Sequence, residues 1–392
     1  MLRFFTAGES HGKGLAGIIE GIPSGLGIRA ADIDSDLKRR QKGYGRGGRM
    51  KIESDSAEIL SGVRWGRTTG APISLFIKNR DWENWKEGMS AEEKDAGSIP
   101  PLTRPRPGHA DLPGALKYNE KDIRNILERS SARETAMRVA LGAVAKKFLQ
   151  EFGIEIGSFI VQIGTVEAGF SGEAGSVKML HELFKKAERS DLRCPDAGAA
   201  GRMKKAIDQA MKNGDTLGGR FVVFATGLPP GLGSHAQWDR KLDGLLAQAL
   251  MSIQAIKCVE VGDGAKLAAM RGSEAMDEIF YDKTKKKFTR ETNRMGGIEG
   301  GMTNGMPVVL SATMKPIPTL RKPLKSVDIV TKRPFEAAYE RSDVCAAPAA
   351  SVVGEGMAAL VLAKTFLEKF GGDGIEETGR NYDSYRQRLA AF

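Results

Sequence analysis

Four apolar positions, Met137, Leu141, Val144 and Phe148, recur at spacings of four, three and four. That spacing marks one buried helix face and places a long helix from residue 122 to a stop near Phe152 and Gly153. Ile33 and Leu37, four apart in a polar setting, predict an amphipathic helix over 31–40. Charged helices are expected at 177–189 and 201–213, an apolar one at 242–256, and one rich in small residues at 349–370. Extended runs bounded by Gly or Pro predict strands at 2–7, 18–22, 50–53, 58–62, 71–77, 154–163, 220–225 and 307–314. Residues 80–118 hold five prolines (Pro100, Pro101, Pro105, Pro107 and Pro113) and read as one long irregular loop. A loop of that length inside a compact domain usually has a function.

Strands and helices mix without the strict alternation of a doubly wound sheet, which predicts the α+β class. No repeat and no low-complexity linker divides the chain. One large domain over 1–392 is expected, with a less ordered tail from about 371 to 392. The cysteines Cys194, Cys258 and Cys345 are scattered, which argues against a disulfide framework and fits a reducing cytoplasm. The four histidines, His11, His109, His181 and His235, show no metal-pair spacing, so no metal is expected. No secretory leader is expected in the first thirty residues, and no apolar run approaches the ~20 residues of a membrane span.

Charge sharpens this picture. The formal net charge is +10, and the arginines gather in Gly- and Pro-rich loops: Arg39, Arg40, Arg46 and Arg49, then Arg104 and Arg106. A nucleic-acid binder would show a basic helix face or interleaved aromatics. Arginines held in loops suit a small polyanion better. Glycine contributes 48 of 392 residues, about 12% against the usual ~7%, so tight turns and close backbone approach to a ligand are expected.

Two motifs mislead. GESHG at 8–12 matches the G-x-S-x-G elbow of hydrolases, but no helix pattern follows it and no oxyanion motif supports a triad. GYGRGG at 43–48 matches a dinucleotide fingerprint, but it follows a helix and enters a strand, the reverse of the required order. What survives is a flexible backbone presenting Arg40, Arg46 and Arg49, each able to grip phosphate or carboxylate with two parallel hydrogen bonds. His11 and His109 sit in similarly unusual loops, an arrangement that suits acid–base work on a phosphorylated substrate. His181, on a charged helix, reads as solvated, and His235 lies in a Gly-rich turn.

Three separated segments carry a resemblance: GESHG at 8–12, ERSSARETAMRVALGA at 128–143 and RSDVCAAPAA at 341–350. Between them, in order, stand RRQKGYGRGGRMKIE, RPGHAD, ALMSIQAIK, GGIEGGMTNG and KPIPT. Together they resemble the chorismate synthase family from residue 2 to about 370. Three positions depart from the family's usual pattern: the HAQWD stretch at 235–239, Ala265 after VGDG, and Cys258.

The resemblance implies a β-α-β sandwich, usually a homotetramer. It implies a carbon–oxygen lyase that converts 5-enolpyruvylshikimate 3-phosphate to chorismate by 1,4-trans elimination of phosphate and the C6 proton. The cofactor implied is reduced FMN, with no net redox change. His11, beside Ser10, matches the histidine that protonates the leaving phosphate. His109 matches the one that serves reduced flavin near N1, and Asp343 the carboxylate that helps remove the C6 proton. Flavin contacts fall on Arg129, Ser130, Ser131, Gln254, Ala255 and Gly300, then on Lys315, Pro316, Ile317, Pro318, Thr319 and Arg341. Substrate cations fall on Arg40, Arg46, Arg49, Arg104, Arg133 and Arg341, with Arg40 and Arg46 also suiting NADP(H). The chain carries no flavin-reductase stretch, so an external reductant is the expected partner. Two rivals differ in what they would show: a flavin oxidoreductase consumes reduced flavin stoichiometrically, and a nucleic-acid binder shows steep salt dependence without any flavin requirement.

Overall fold

A computed structural model describes residues 2–46, 54–169, 176–284, 286–337 and 342–392. Two antiparallel sheets enclose two long helices. The first sheet has the order Arg3–Ala7, Gly14–Glu20, Ile73–Lys78, Glu58–Ile59. The second runs Ile256–Val261, Val308–Met314, Gly219–Thr226, Glu155–Ile163, Val166–Glu167. The Thr135–Gln150 helix packs on the first sheet and on the Ala347–Phe370 helix, which in turn packs on the second sheet. The architecture is the expected α+β sandwich of sheet, helices and sheet.

Alternation explains the first sheet. Leu15, Ile19, Ile73, Leu75 and Ile77 point inward and are buried, whereas Phe5 and Ile18 lie exposed on the opposite face. The second sheet is apolar on both sides. Its inner face joins the main core, and Phe159, Val161, Val222, Phe224 and Val309 meet Leu180 and Ala187 of the Val177–Glu188 helix outside. The two central helices touch at glycines: a Cβ on Gly142 would stand 2.3 Å from the Cα of Gly356. Only glycine permits that backbone approach. The Ala347–Phe370 helix is long and apolar enough to cross a membrane by length and composition, and 83% of its most apolar stretch is buried within the fold.

A buried ion cluster ties these layers to the site. Glu355, on the Ala347–Phe370 helix, accepts from Arg39 at 2.7 Å through both oxygens, from Lys146 at 2.9 Å and from the Ser158 hydroxyl at 2.6 Å. Burial alone would raise its carboxyl. The surrounding cations outweigh burial and hold it well below the ordinary range. The cluster fixes the Ala30–Gln41 helix, and with it the direction of the neighbouring Arg40.

Several boundaries differ from expectation. The second strand begins at Gly14 rather than 18, because its glycines hide the extended run. Within 80–118 lies a helix, Asp111–Tyr118. Its Pro113 falls in the first turn, where a missing N–H costs nothing. The long helix is interrupted: Arg124–Ser130 ends at the extended Ser131, whose hydroxyl oxygen accepts from the Arg133 N–H and so caps the turn Ala132–Glu134 leading into Thr135–Gln150. The 242–256 helix stops at Met251, and Ile256–Val261 is a strand. Residues 371–392, expected to be less ordered, include the Ile375–Ala391 helix, whose Tyr382 packs edge-on against Phe152. The strand expected at 50–53 lies outside the described residues.

Candidate active site

The GESHG loop joins the first two strands and is gripped from beneath. Asn79, fully buried, donates to the carbonyls of Glu9 at 3.0 Å and Gly12 at 2.8 Å, and its own carbonyl accepts from Arg133 Nε at 2.9 Å. The Ser10 N–H donates to the Glu128 carbonyl at 3.1 Å, and the Ser10 hydroxyl to Ser131 Oγ at 3.1 Å. His11 Nδ1 lies 2.8 Å from Glu128 Oε1, and its ring packs on Trp85 with centroids 4.4 Å apart. Among the described residues its Nε2 has no partner.

Beside this loop lies the arginine cluster. Arg133 bonds Asp55 at 2.6 Å, and Arg40 approaches the same carboxylate at 3.5 Å while donating to Thr135 Oγ1 and to the Ala132 carbonyl. Burial, and the nearby guanidiniums of Arg46 and Arg133, outweigh Asp55 and lower Arg40 to about 10. A cation destabilised by its own surroundings is relieved by an anion, so the cluster is electrostatically suited to one. Arg46 pairs with Asp343 at 3.1 Å. Asp343 does not cap the following helix, whose capping position is Ala346. Arg49 and Arg341 lie outside the described residues.

His109 occupies a different setting. Its Nδ1 stands 2.5 Å from Asp111 Oδ1, and Asp111 also takes Arg106 Nε at 2.8 Å and Nη2 at 3.0 Å. Burial would raise the Asp111 carboxyl. Hydrogen bonds from His109 and Arg106 and the guanidinium charge prevail and hold it well below the ordinary carboxylate range. Arg106 continues to Thr319 Oγ1 at 3.1 Å, and Ser342 donates to the Thr319 carbonyl at 3.1 Å. That chain of bonds returns to Asp343, next in sequence.

The other expected cofactor residues close the ring. Lys315 Nζ donates to the Gly108 carbonyl at 2.6 Å and its backbone N–H to Ala255, which holds a left-handed φ of 67°. Burial and the charge of Lys257 lower the Lys315 ammonium. Gln254 donates to Glu134 at 3.2 Å, Glu134 accepts from Thr6 Oγ1 at 2.7 Å, and Arg129 binds the Thr6 carbonyl at 2.8 Å and Gly8 at 3.2 Å. The circuit has then come back to the GESHG loop. The Gln254 Oε1 is buried and, among the described residues, has no hydrogen-bond partner. Pro316, Ile317 and Pro318 form the rigid arm between Lys315 and Thr319, with the Ile317 carbonyl held by Thr216 at 2.7 Å.

Three predicted residues sit otherwise. Ser130 spends its hydroxyl on the Ile126 carbonyl of its own helix, at 2.8 Å. Arg104 is exposed and stacks on Phe335 at 3.4 Å, so Arg106, two residues on, is the buried arginine of that loop. Gly300 lies in the turn between Ile298–Glu299 and Met302–Thr303, off the circuit. His181, expected in solvent, is half-buried: Nε2 meets Thr226 Oγ1 at 3.1 Å and Nδ1 meets Glu155 at 3.2 Å. Sequence reading assigned no role to Glu128, Asp111, Asp55 or Asn79, although the first two stand inside the quoted motifs. Among the described residues no cluster of His, Cys, Asp or Glu could hold a metal ion. A cavity of about 1590 Å³ lies beside the C-terminal helix and is bordered by none of the circuit's residues.

The profile of the family described as chorismate synthase matches residues 2–367. The chain belongs to the chorismate synthase family. It is therefore an enzyme of the lyase class. Among its relatives, the chorismate synthase of Aquifex aeolicus (strain VF5) is 58% identical over 395 residues, covering all of this chain and 99% of that one. The Geobacter metallireducens chorismate synthase is 56% identical over 398 residues, with both chains fully covered. A crystal structure of chorismate synthase superposes with a TM-score of 0.82 at 46% identity, covering all of this chain and 99% of that one.

Proposed function

We propose that the chain eliminates phosphate and the C6 proton from 5-enolpyruvylshikimate 3-phosphate to give chorismate, with reduced FMN as cofactor. The observation that carries this is the circuit of hydrogen bonds, ion pairs and short backbone links that joins two carboxylate-held histidines to buried guanidiniums. Arg40, Arg46 and Arg133 bind the phosphate and carboxylates of the substrate; Asp55 holds Arg40 and Arg133, Asn79 also holds Arg133, and Asp343 holds Arg46. His11 gives the proton on Nε2 to the departing phosphate. Asp343, anchored by Arg46, assists removal of the C6 proton.

The residues on the opposite side fit a flavin. The ring offers an N–H donor that suits the buried, unpartnered Oε1 of Gln254. Its phosphate suits Lys315 and Lys257, whose mutual repulsion an anion relieves. His109, held at Nδ1 by Asp111, keeps a proton at the N1 side of the ring. Reduced FMN held there would supply electron density to the breaking C–O bond without net redox change. Reducing equivalents come from an external reductant, with Arg40 and Arg46 reserved for substrate rather than NADP(H). The working assembly is a homotetramer in the cytoplasm.

The test is an anaerobic assay of phosphate release and chorismate absorbance. Equal, catalytic amounts of both with reduced FMN, and none with oxidised FMN, are expected. A well-folded chain that binds FMN and forms neither product contradicts the proposal.

A further inference from the structure

We infer that Glu128 is the positioning residue that fixes the orientation and tautomer of His11, so that the proton His11 delivers is the one on Nε2. The inference rests on the elimination proposed above. Glu128 lies near the end of the Arg124–Ser130 helix and is 2% exposed. Both its carboxylate oxygens go to one residue. Oε2 accepts from the His11 backbone N–H at 2.7 Å, and Oε1 faces Nδ1 at 2.8 Å.

An ionised carboxylate can only accept, so Nδ1 must carry a hydrogen in either charge state of the ring. The cationic ring then holds its second proton on Nε2. On transfer, the Nε2–H bond breaks and an O–H bond forms on the leaving phosphate. The electron pair stays on Nε2, and the neutral ring keeps its Nδ1–H bond to Glu128. No ring flip intervenes. Rotation is also restricted, because Trp85 lies against the ring and Arg124 covers Trp85 at 5.1 Å.

Two features separate this from ordinary loop anchoring. First, the loop is already held by Asn79 through the Glu9 and Gly12 carbonyls, and by Ser10 N–H on the Glu128 carbonyl. Second, the other buried carboxylates around the site are shared with guanidiniums: Asp55 with Arg133, Asp111 with Arg106, and Glu134 with Arg138. Among the described residues, the only charged group paired with Glu128 is His11. Its carboxylate is committed to that imidazole.

The test uses E128Q, H11A and the double variant in the full chain. Glutamine keeps the shape, and its carbonyl can still accept from the His11 N–H. Its amide N–H₂ then faces Nδ1 and can only donate, which moves the neutral ring's hydrogen to Nε2. The chain has four histidines, so ¹⁵N-histidine NMR, with H11A as the assignment control, reads the tautomer directly. The expected result is a switch from Nδ1–H to Nε2–H in E128Q. The kcat for phosphate release falls about 10²-fold, while KM stays within about threefold, since binding is untouched. The double variant is no slower than H11A alone, because the two residues act as one unit. An unchanged tautomer, near wild-type turnover in E128Q, or multiplied losses in the double variant would overturn the inference. If the unmodified chain releases no phosphate, the reaction itself is misread, and the NMR result still decides whether Glu128 sets the tautomer.

Discussion

His11 and His109 each meet a buried carboxylate through Nδ1, yet the two carboxylates are embedded differently. Asp111 begins the Asp111–Tyr118 helix and is shared with Arg106, which reaches on to Thr319. Removing its charge would strand a buried guanidinium and loosen the link between two loops. Among the described residues, the Glu128 carboxylate serves His11 alone. One dyad is built into the fold and the other is added onto a loop already secured. The same imidazole–carboxylate unit can therefore be structural and chemical at once, or chemical only, according to what else the carboxylate holds.

The largest expected effect tests whether both histidines act at all. His11→Ala and His109→Ala should each slow turnover by at least ~10²-fold, the scale of a positioned acid–base group, as read from steady-state phosphate release. A loss confined to one of them would break the symmetry of the pair. Next comes stability. Asp111→Asn should destabilise the fold by about 3–5 kcal/mol, because it leaves Arg106 buried without its counter-charge. Glu128→Gln should cost less than ~1.5 kcal/mol, the worth of one hydrogen bond. Urea unfolding of both variants decides this, and equal costs would erase the distinction.

The Asp111 difference should also depend on pH. Its carboxyl is held below the ordinary range in the folded chain. The stability it contributes is therefore fully present above its unfolded value near ~4 and is lost as pH falls towards the lower folded value. The gap between wild type and Asp111→Asn should narrow as unfolding is followed below about pH 4. A gap that stays constant would mean the ion pair is not its source. The smallest effect belongs to His181. His181→Ala should keep activity within about twofold and lose roughly 1 kcal/mol of stability with its hydrogen bond to Thr226.

Much of this architecture was legible in the chain. The Met137–Leu141–Val144–Phe148 seam placed a central helix, and extended runs bounded by Gly or Pro placed most strands. What escaped has physical causes. Prolines in the first turn of a helix look like loop, which hid Asp111–Tyr118. The partnerships that organise the site join residues far apart, such as His11 with Glu128 and Arg133 with Asp55. No local period records them. In the 104–106 stretch, two arginines two residues apart face different surroundings, and only packing decides that Arg106 turns inward and Arg104 onto Phe335.

The most direct single test is the amount of reduced FMN consumed per phosphate released, measured anaerobically over many turnovers. An elimination without net redox change predicts many phosphates per flavin, with the flavin still reduced at the end. One flavin oxidised for each substrate consumed would contradict it and make the chain an oxidoreductase.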